Sequence, residues 1–479
     1  MAISILNIPR DVLLAIATSP NLNMQDVWRF TQICSQLRSL QKEKVFWVRV
    51  LRHRRTPRPY HIPCGEDMSK LDIDVLKAIA TRARDLDSNW SRESPHSVGP
   101  VHSFDCESDS MLAFGIQGTS LWITHSPISG LASLWDISRA KLICTTMIGV
   151  GVLIVSDPLD ETGVHFRGAV FCEHKDGELR ATTLMLLRVH YMRSVPSLEA
   201  IFQRTLPATS PEIQPFVWTN TLGYFQCQDG LGTVITFDMR TGAESKGSMD
   251  MKSNETRQHC ILAYMGKVVI VSEDEKHFIV DHCPYRRVAS SSFPQPHSDM
   301  IIKVPSKSPS GRRNGPSPGT LDCMVSGHPS NGPLSASIRY NKRTKSTAVM
   351  FRQASLRLAA DDTVEIVSSL GLDDFTRTAT VPGKVWHYTF NCVDKCSWPH
   401  VFVGYDGNHV LLIMEDTEAR RCKLHLVRYD PTTENTHVHE LKVPRRINLK
   451  EISTFALDDC AGIVLLMDKF AVMHCSYYA

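Results

Sequence analysis

Three short strings, at residues 134–137 (LWDI), 236–239 (TFDM) and 428–431 (RYDP), share one pattern in which an apolar run ends in an aromatic residue and an Asp, followed by a turn. Their aspartates lie 102 and 192 residues apart. Two further apolar runs end 43 residues after Asp238 and 45 residues after Asp430. These steps fit a structural unit of about 40 to 50 residues that recurs along the chain.

From Val101 onward the chain consists of short apolar runs separated by turn dipeptides such as Asp176-Gly177 and Asp406-Gly407. The clearest predicted strands are 111–115, 152–156, 169–173, 234–238, 268–272, 410–414 and 463–467. No helix longer than two turns is indicated there. Many short strands with regular turns favour a sandwich, a barrel or a propeller, and the recurring unit favours the propeller among them.

The number of repeats depends on residues 290–333, where 23 of 44 residues are Ser, Pro or Gly. This composition predicts a disordered insertion in one blade, because it offers little apolar surface to bury. About 340 residues then remain, enough for about seven four-stranded blades, with six or eight also compatible. The last apolar strand has no outer partner after it. We therefore predict that residues 101–106 complete its sheet and close the ring.

The first 90 residues show helical spacing instead. Pro9 suits a first helical position, and apolar residues recur from Val12 to Ala17 and again from Val27 to Leu51, which predicts three helices. So short a segment cannot bury all of these apolar side chains within itself. An apolar face that stays exposed on such a module is usually an interface. The alternative, that the helices pack against the rest of the same chain, stays open.

A further helix is predicted over residues 70–90, followed by a linker at 91–100. Ser69 and Asp72 resemble a capping box at its start. Its apolar stripe is predicted to be Leu71, Val75, Ile79, Ala83 and Leu86. The overall fold class is therefore α+β, with an N-terminal helical segment and an all-β remainder.

Composition excludes several broad classes. The 479 residues are 42% hydrophobic and 22% charged, as in globular proteins, which excludes a wholly disordered or fibrous chain. The net charge of +3 is too small to indicate binding to nucleic acid or to a membrane surface. Fourteen scattered cysteines indicate reduced thiols, and no signal peptide or membrane span is evident. We expect an intracellular protein, cytoplasmic or nuclear, with no nucleic acid or membrane partner.

Catalytic and metal motifs are weak. Residues 315–319 (GPSPG) match a nucleophile elbow but lie in the Pro-rich segment, without the strand and helix that such a Ser needs. Cys392 and Cys396 have no second pair to complete a zinc site, and His437 and His439 have no evident third ligand. No phosphate-binding loop or zinc-protease motif occurs. We expect no enzyme, no metal and no cofactor; a propeller enzyme is a remote alternative.

Residues 6–16 (LNIPRDVLLAI) and 26–37 (DVWRFTQICSQL), followed by Phe46-Trp47, resemble an F-box. Ile8-Pro9 stands where the family has Leu-Pro, and Leu37 stands where many members have Trp. With the later helix and the predicted propeller, the layout resembles the F-box proteins with a WD-like propeller that are abundant in mushroom-forming fungi. The expected domains are an F-box at 1–52, a helical spacer at 53–95 and a substrate-binding propeller at 96–479.

The resemblance implies a substrate-recognition subunit of an SCF-type cullin-RING ubiquitin ligase. Its F-box would dock on a Skp-family adaptor, and through it on cullin and RING subunits, while the propeller would present an unidentified protein substrate. A scaffold that uses the same two modules outside any ligase is the alternative. The residues expected in or beneath the adaptor interface are Ile8, Pro9, Val12, Leu13, Ile16, Val27, Ile33, Cys34, Leu37, Phe46 and Trp47.

Overall fold

A computed structural model describes most of the N-terminal half of the chain and its last forty residues, and between them mainly the backbone of strands. The described ranges are 8–19, 22, 24–53, 60–63, 66–161, 163–175, 178–206, 213–218, 220–228, 231–250 and 442–479, together with the strands given below between 258 and 441. The statements that follow concern these residues.

The helices are α1 (Arg10–Ala17), α2 (Met24–Gln32), α3 (Ser35–Leu40), α4 (Lys44–His53) and α5 (Ile73–Trp90). The prediction of three helices before residue 53 was wrong, since the described residues there form four. The chain breaks at Cys34, which is extended (φ −151°, ψ 168°), and again after Leu40. The first break redirects the chain so that Leu37 and Leu40 both enter the core.

One core unites α1–α4 with the first half of α5, and its centre is aromatic. The Trp47 ring lies 4.9 Å from the Phe46 ring and 5.3 Å from the Trp28 ring. Trp47 also donates from Nε1 to the carbonyl oxygen of Gln41 at 2.9 Å, which fixes the turn that enters α4. The Arg84 guanidinium lies 4.9 Å from the centre of the Trp28 ring, so α5 packs on α2. The predicted F-box and spacer therefore share one hydrophobic core.

Helix α5 begins later than predicted, and its buried face includes Ala83 and Leu86 of the predicted stripe but not Val75. Ser69 donates to Asp67 from both its N–H and its hydroxyl, at 2.9 and 2.7 Å, and Asp72 makes no side-chain cap. The capping-box prediction was therefore wrong. Val75 is 44% exposed, which corrects the predicted stripe. The buried residues of the helix are Leu76, Ala80, Ala83, Leu86, Asn89 and Trp90.

The described strands are β1 (His102–Asp105), β2 (Met111–Gly115), β3 (Leu121–His125), β4 (Leu131–Asp136), β5 (Lys141–Met147), β6 (Val152–Glu161), β7 (Val164–Lys175), β8 (Glu178–His190), β9 (Ser197–Leu206), β10 (Ile213–Trp218), β11 (Thr221–Gln228), β12 (Leu231–Asp238), β13 (Glu244–Asp250), β14 (Gln258–Tyr264), β15 (Lys267–Glu273), β16 (His277–Pro284), β17 (Ile302–Pro305), β18 (Asp322–Ser326), β19 (Pro333–Asn341), β20 (Ser346–Gln353), β21 (Ser355–Leu358), β22 (Val364–Val367), β23 (Trp386–Asn391), β24 (His400–Val403), β25 (His409–Asp416), β26 (Arg421–Asp430), β27 (Asn435–Leu441), β28 (Ile452–Asp458), β29 (Ile463–Asp468) and β30 (Val472–Tyr477).

Within the described residues these strands form seven four-stranded antiparallel sheets and the two-stranded sheet β21–β22. In chain order, sheet 1 is β2–β5, sheet 2 is β6–β9, sheet 3 is β10–β13 and sheet 4 is β14–β17. Sheet 5 is β18–β19–β20–β23, sheet 6 is β24–β27, and sheet 7 has the order β28–β29–β30–β1. All seven strands predicted from the sequence lie within strands of the structure.

The aspartates of the recurring pattern end the third strand of their sheets, which are sheets 1, 3 and 6. The Asp136 carboxylate accepts from the N–H of Ser138 at 3.1 Å and from the Ser120 hydroxyl at 2.7 Å. The Asp238 carboxylate accepts from the N–H groups of Arg240 and Thr241 at 2.8 and 3.0 Å. In sheets 1 and 3, the Asp of the pattern therefore builds the turn into the fourth strand.

The predicted closing strand is confirmed. Strand β1 pairs antiparallel with β30, and His102 lies opposite Cys475. Residues about 370 positions apart in the chain thus complete sheet 7, and its outer strand is supplied from the N-terminal side of the β part. The closing strand covers the edge of β30, and the short strand β1 becomes the outer edge of the sheet.

The predicted insertion at 290–333 contains two strands, β17 and β18, which belong to sheets 4 and 5. Composition averaged over 44 residues conceals short apolar runs such as Ile301-Ile302 and Met324-Val325. The remaining residues of this segment, up to the start of β19, lie outside the described part of the chain.

Neighbouring sheets pack face to face through apolar side chains. Separate buried clusters join sheets 7 and 1, sheets 1 and 2, sheets 2 and 3, and sheets 6 and 7. The first strands of sheets 2, 3, 4 and 5 also contact in that order. Serial four-stranded sheets, packed in chain order and closed by a strand from the other end, are the arrangement of a β-propeller.

Because successive strands are antiparallel, the turns of each sheet alternate between two faces of the array. We call the face with turns 116–120 and 459–462, between first and second strands, the helix face. We call the face with turns 126–130 and 469–471 and connections 106–110 and 148–151 the far face. The helical segment contacts the helix face, at Gly118 and Gly462.

Candidate functional site

The structure divides the eleven residues of the predicted adaptor interface into two sets. Five have exposed fractions of 0% and fill the core of the helical module: Leu13, Val27, Leu37, Phe46 and Trp47. Pro9, Val12, Ile16 and Ile33 are exposed, and Ile8 and Cys34 are half-buried. The first set lies beneath the surface, and the second is the part that a partner can contact directly.

Val12 and Ile16 are 42% and 41% exposed and lie four residues apart on α1, which places them on one side of the helix. Ile33, 62% exposed, follows α2. An ion pair between Arg10 and Glu43 ties the start of α1 to the residue before α4. Val12 and Ile16 therefore form a small apolar surface on a helix that is fixed at its N-terminus.

The second half of α5 holds the helical module against the helix face of the β array. Leu86 is fully buried in the cluster that joins sheets 6 and 7, and the Trp90 ring lies 4.9 Å from the His409 ring at the start of β25. Asn89 donates from Nδ2 to the carbonyl oxygens of Tyr478 at 2.8 Å and of His96 at 2.7 Å. One continuous helix thus belongs to both hydrophobic cores.

Two glycines permit the close approach at this junction. Gly462 has φ +67°, and a Cβ there would lie 2.6 Å from a methyl carbon of Leu86. Gly118 has φ +75°, and a Cβ there would lie 2.1 Å from the carbonyl carbon of Ile62. A side chain at position 118 would clash with the backbone of Ile62 and push the helical module away from the array, whereas one at position 462 would force the Leu86 side chain to move.

The turn 459–462 also holds a buried polar group that sequence analysis missed. A carboxylate oxygen of Asp458, a carboxylate oxygen of Asp459 and the Sγ of Cys460 all lie within 4.8 Å of one another, and all three residues are buried. The Asp458 carboxylate accepts from the N–H of Ala461 at 2.8 Å. Burial, and to a smaller extent the Asp459 carboxylate, raises the pKa of Asp458 to about 7, while Arg82 of α5 opposes this. Hydrogen bonds within the turn, such as the one from Ala461 to Asp458, account for the clustering of these three polar side chains.

Asp458 makes stability depend on pH. Its pKa in the folded chain, about 7, exceeds its ordinary value of 3.8, so its contribution to folding is complete below about pH 4 and is lost as the pH rises through 7. From about pH 5 to about pH 8 we expect it to lower the free energy of unfolding by on the order of 2 to 3 kcal/mol. Asp458→Asn keeps the acceptor for Ala461 and should remove this slope.

Urea unfolding of the wild type and of Asp458→Asn at both pH values measures the difference. The gain in stability of the variant should appear at the higher pH. Parallel pH profiles for the two proteins would show that Asp458 does not titrate in this range.

The other residues singled out in the sequence form no described site. The segment 315–319 and the pair Cys392 and Cys396 lie outside the described residues. The His437 and His439 rings stack with centroids 6.3 Å apart. Among the side chains that the structure describes, no Asp, Glu or Cys joins this pair as a third ligand in a metal-type cluster. None of the described helices combines the length and the apolar character needed to span a membrane.

No protein-family model matches the chain, and no curated protein matches it. Solved structures with a similar fold include the WD40 domain of SCAP from fission yeast, which is 10% identical with a TM-score of 0.38 and matches 79% of this chain and 98% of that one. Another is the β-propeller domain of Cps50 (Swd1) from Myceliophteria thermophila, 10% identical with a TM-score of 0.42, matching 78% and 99%.

The C-terminal WD40 domain of Sif2 is 9% identical with a TM-score of 0.35, and the match covers 77% of this chain and 80% of that domain. At such identities and TM-scores these likenesses carry nothing about partners or activity. The propeller interpretation depends on the sheet order, the packing of neighbouring sheets and the closing strand.

Proposed function

We propose that this chain is a non-catalytic substrate receptor of an SCF-type ubiquitin ligase, with an F-box in α1–α4 and a seven-bladed propeller. The observation that supports it is the division of the N-terminal apolar residues. Leu13 and Trp47 fill a complete core, yet Val12, Ile16 and Ile33 stay exposed beside it. An exposed apolar group on a module that already has its own core is typical of a docking surface.

The mechanism is proximity. The helical module would hold the Skp-family adaptor with its cullin and RING subunits, and the propeller would hold a protein substrate. Because α5 belongs to both cores, the two bound partners would be kept in a fixed relation. The chain would then act by raising the effective concentration of the substrate at the ligase, and it would catalyse no reaction itself.

The test is co-expression with the Skp-family adaptor and measurement of the affinity by titration. The double variant Val12→Asp and Ile16→Asp should bind at least about a hundredfold more weakly, because two carboxylates would be desolvated in an apolar contact. Its melting temperature should stay close to that of the wild type, since both side chains are exposed.

Val75→Asp is the matched control, because Val75 is 44% exposed on α5 of the same module but outside the resemblance to an F-box. It should bind the adaptor as the wild type does. Wild-type chain that does not associate with the adaptor would refute the F-box assignment. Pull-downs that contain the adaptor but no cullin would favour a scaffold outside a ligase.

A further inference from the structure

Four large apolar side chains lie exposed together on the far face, where sheets 1 and 2 meet. Ile128 is 69% exposed, Met147 63%, Val150 46% and Val152 57%. Ile128 lies in the turn between β3 and β4, and the others lie at or beside the connection from β5 to β6. We call these four residues the far-face patch.

The two segments that carry the patch are fastened to each other by their backbones. The N–H of Gly151 donates to the carbonyl oxygen of Pro127 at 2.8 Å. The N–H groups of Ile148 and Gly149 both donate to the carbonyl oxygen of Gly130, at 2.9 and 3.1 Å. The patch is therefore a preformed surface, and binding there requires little ordering of the chain.

The two segments of sequence that carry the patch also contain few charged residues. Residues 126–135 and 142–156 contain no Asp, Glu, Lys or Arg. The second stretch is rich in apolar residues, and it is too short to span a membrane. Met111 is 44% exposed and extends the apolar surface towards sheet 7. It pairs with His125 of β3, and His125 Nε2 lies 2.9 Å from the carbonyl oxygen of Gly149, which is the neighbour of Val150 in the patch.

Beyond Met111 the surface becomes acidic. The connection 106–110 and the residue before it carry Asp105, Glu107 and Asp109, and no Lys or Arg. None of these carboxylates forms an ion pair with a described residue. The nearby Lys469 is paired with Glu451 at 3.0 Å. An apolar surface with an acidic border is complementary to an apolar segment followed by basic residues.

We propose that the far-face patch binds a short segment of a partner protein in which apolar anchor residues are followed by Lys or Arg. This inference rests on the proposed function, since it names the class of substrate that the propeller would present. A second copy of the chain is a poorer occupant. A symmetric contact through this patch would bring the two acidic borders near each other without a basic complement.

In the experiment, a library of displayed random peptides is selected for binding to the full-length chain. The best sequence is then synthesised with a label, and its affinity for the chain is measured. The selected peptides should carry apolar residues followed by Lys or Arg. The double variant Ile128→Asn and Met147→Gln should bind that peptide about tenfold more weakly or worse, because two apolar anchors are lost. Glu107→Gln with Asp109→Asn should lower the affinity about threefold and flatten its salt dependence. Asn suits position 109, where φ is +63°.

Met192→Gln with Val195→Asn is the matched control. These residues are 52% and 67% exposed but lie in the turn between β8 and β9, on the helix face. This control should bind the peptide as the wild type does. Selected peptides that lack the apolar-basic pattern, or that bind the patch variant equally well, would overturn the proposal. So would a wild-type dimer that the patch variant converts to a monomer.

Binding of the Skp-family adaptor is measured on the same proteins, which separates the two proposals. The patch variant should keep its affinity for the adaptor, since the far face is remote from α1. One outcome is that the peptide binds through the patch while the wild-type chain does not bind the adaptor. The far-face patch would then remain a peptide-binding site, and only its role in a ligase would be refuted.

Discussion

Cys475→Asp is expected to abolish folding of the β array. Cys475 is fully buried in β30, within the cluster that joins sheets 7 and 1, so the variant would place a carboxylate among apolar side chains at the closing seam. Burying a carboxyl group among apolar side chains costs several kcal/mol even when it takes up a proton, which is a large part of the about 5 to 15 kcal/mol that stabilises a typical domain. Soluble yield and the cooperative transition in thermal unfolding should both be lost.

Two variants keep this prediction specific. Cys475→Ala removes the thiol without adding charge and should fold, with a loss of about 1 to 2 kcal/mol. His102→Asp changes the residue directly opposite Cys475 in the pairing of β1 with β30, but His102 is exposed. It should fold with almost unchanged stability. A soluble Cys475→Asp protein with a sharp transition would mean that sheets 7 and 1 do not close on each other as described.

Trp90→Ala should loosen the junction between the helices and the array. Trp90 is 1% exposed, and its ring packs beside His409 at the end of α5. Removing a buried Trp side chain costs about 3 to 5 kcal/mol, since the cavity does not fully collapse. We expect a lower melting temperature and faster proteolysis within residues 91–100, which connect α5 to β1.

Trp90→Phe is the control, because it keeps a ring in the cavity and should lose less than half as much stability. The proposed binding of the adaptor to α1 should survive Trp90→Ala, since the core around Trp47 is untouched. Unchanged proteolysis and melting temperature in Trp90→Ala would show that Asn89 and Leu86 hold the junction without it.

Local patterns predicted the β part well. The recurring Asp at the end of third strands is visible in the sequence because its role is local: Asp136 and Asp238 bond to groups two or three residues ahead. The closing strand was also predicted, because a last strand without an outer partner requires one from elsewhere. Both arguments depend on chain order and need no knowledge of side-chain packing.

Long-range packing explains what the sequence did not reveal. The stripe predicted for α5 included Val75 and omitted Ala80, because a small side chain gives no sign that another helix approaches closely. Asn89 looked like an ordinary polar residue until its bond to Tyr478, 389 positions away, placed it at the junction. Likewise, Ile128 and Val150 belong to one surface only because backbone hydrogen bonds join two separate segments.

Under the proposed function, the position of the helical module on one face of the array decides which lysines of a bound protein would be modified. The described strands of sheets 1 and 7 have four to seven residues, so the array is roughly 15 to 25 Å thick between its faces. A protein held at the far-face patch would thus have the array between its anchored segment and the ligase side. Lysines beside the anchor would be shielded, whereas those beyond the rim of the array, several nanometres along a partner, would be within reach. Selection among lysines would then follow from distance along the bound protein, with no recognition of the residues around them.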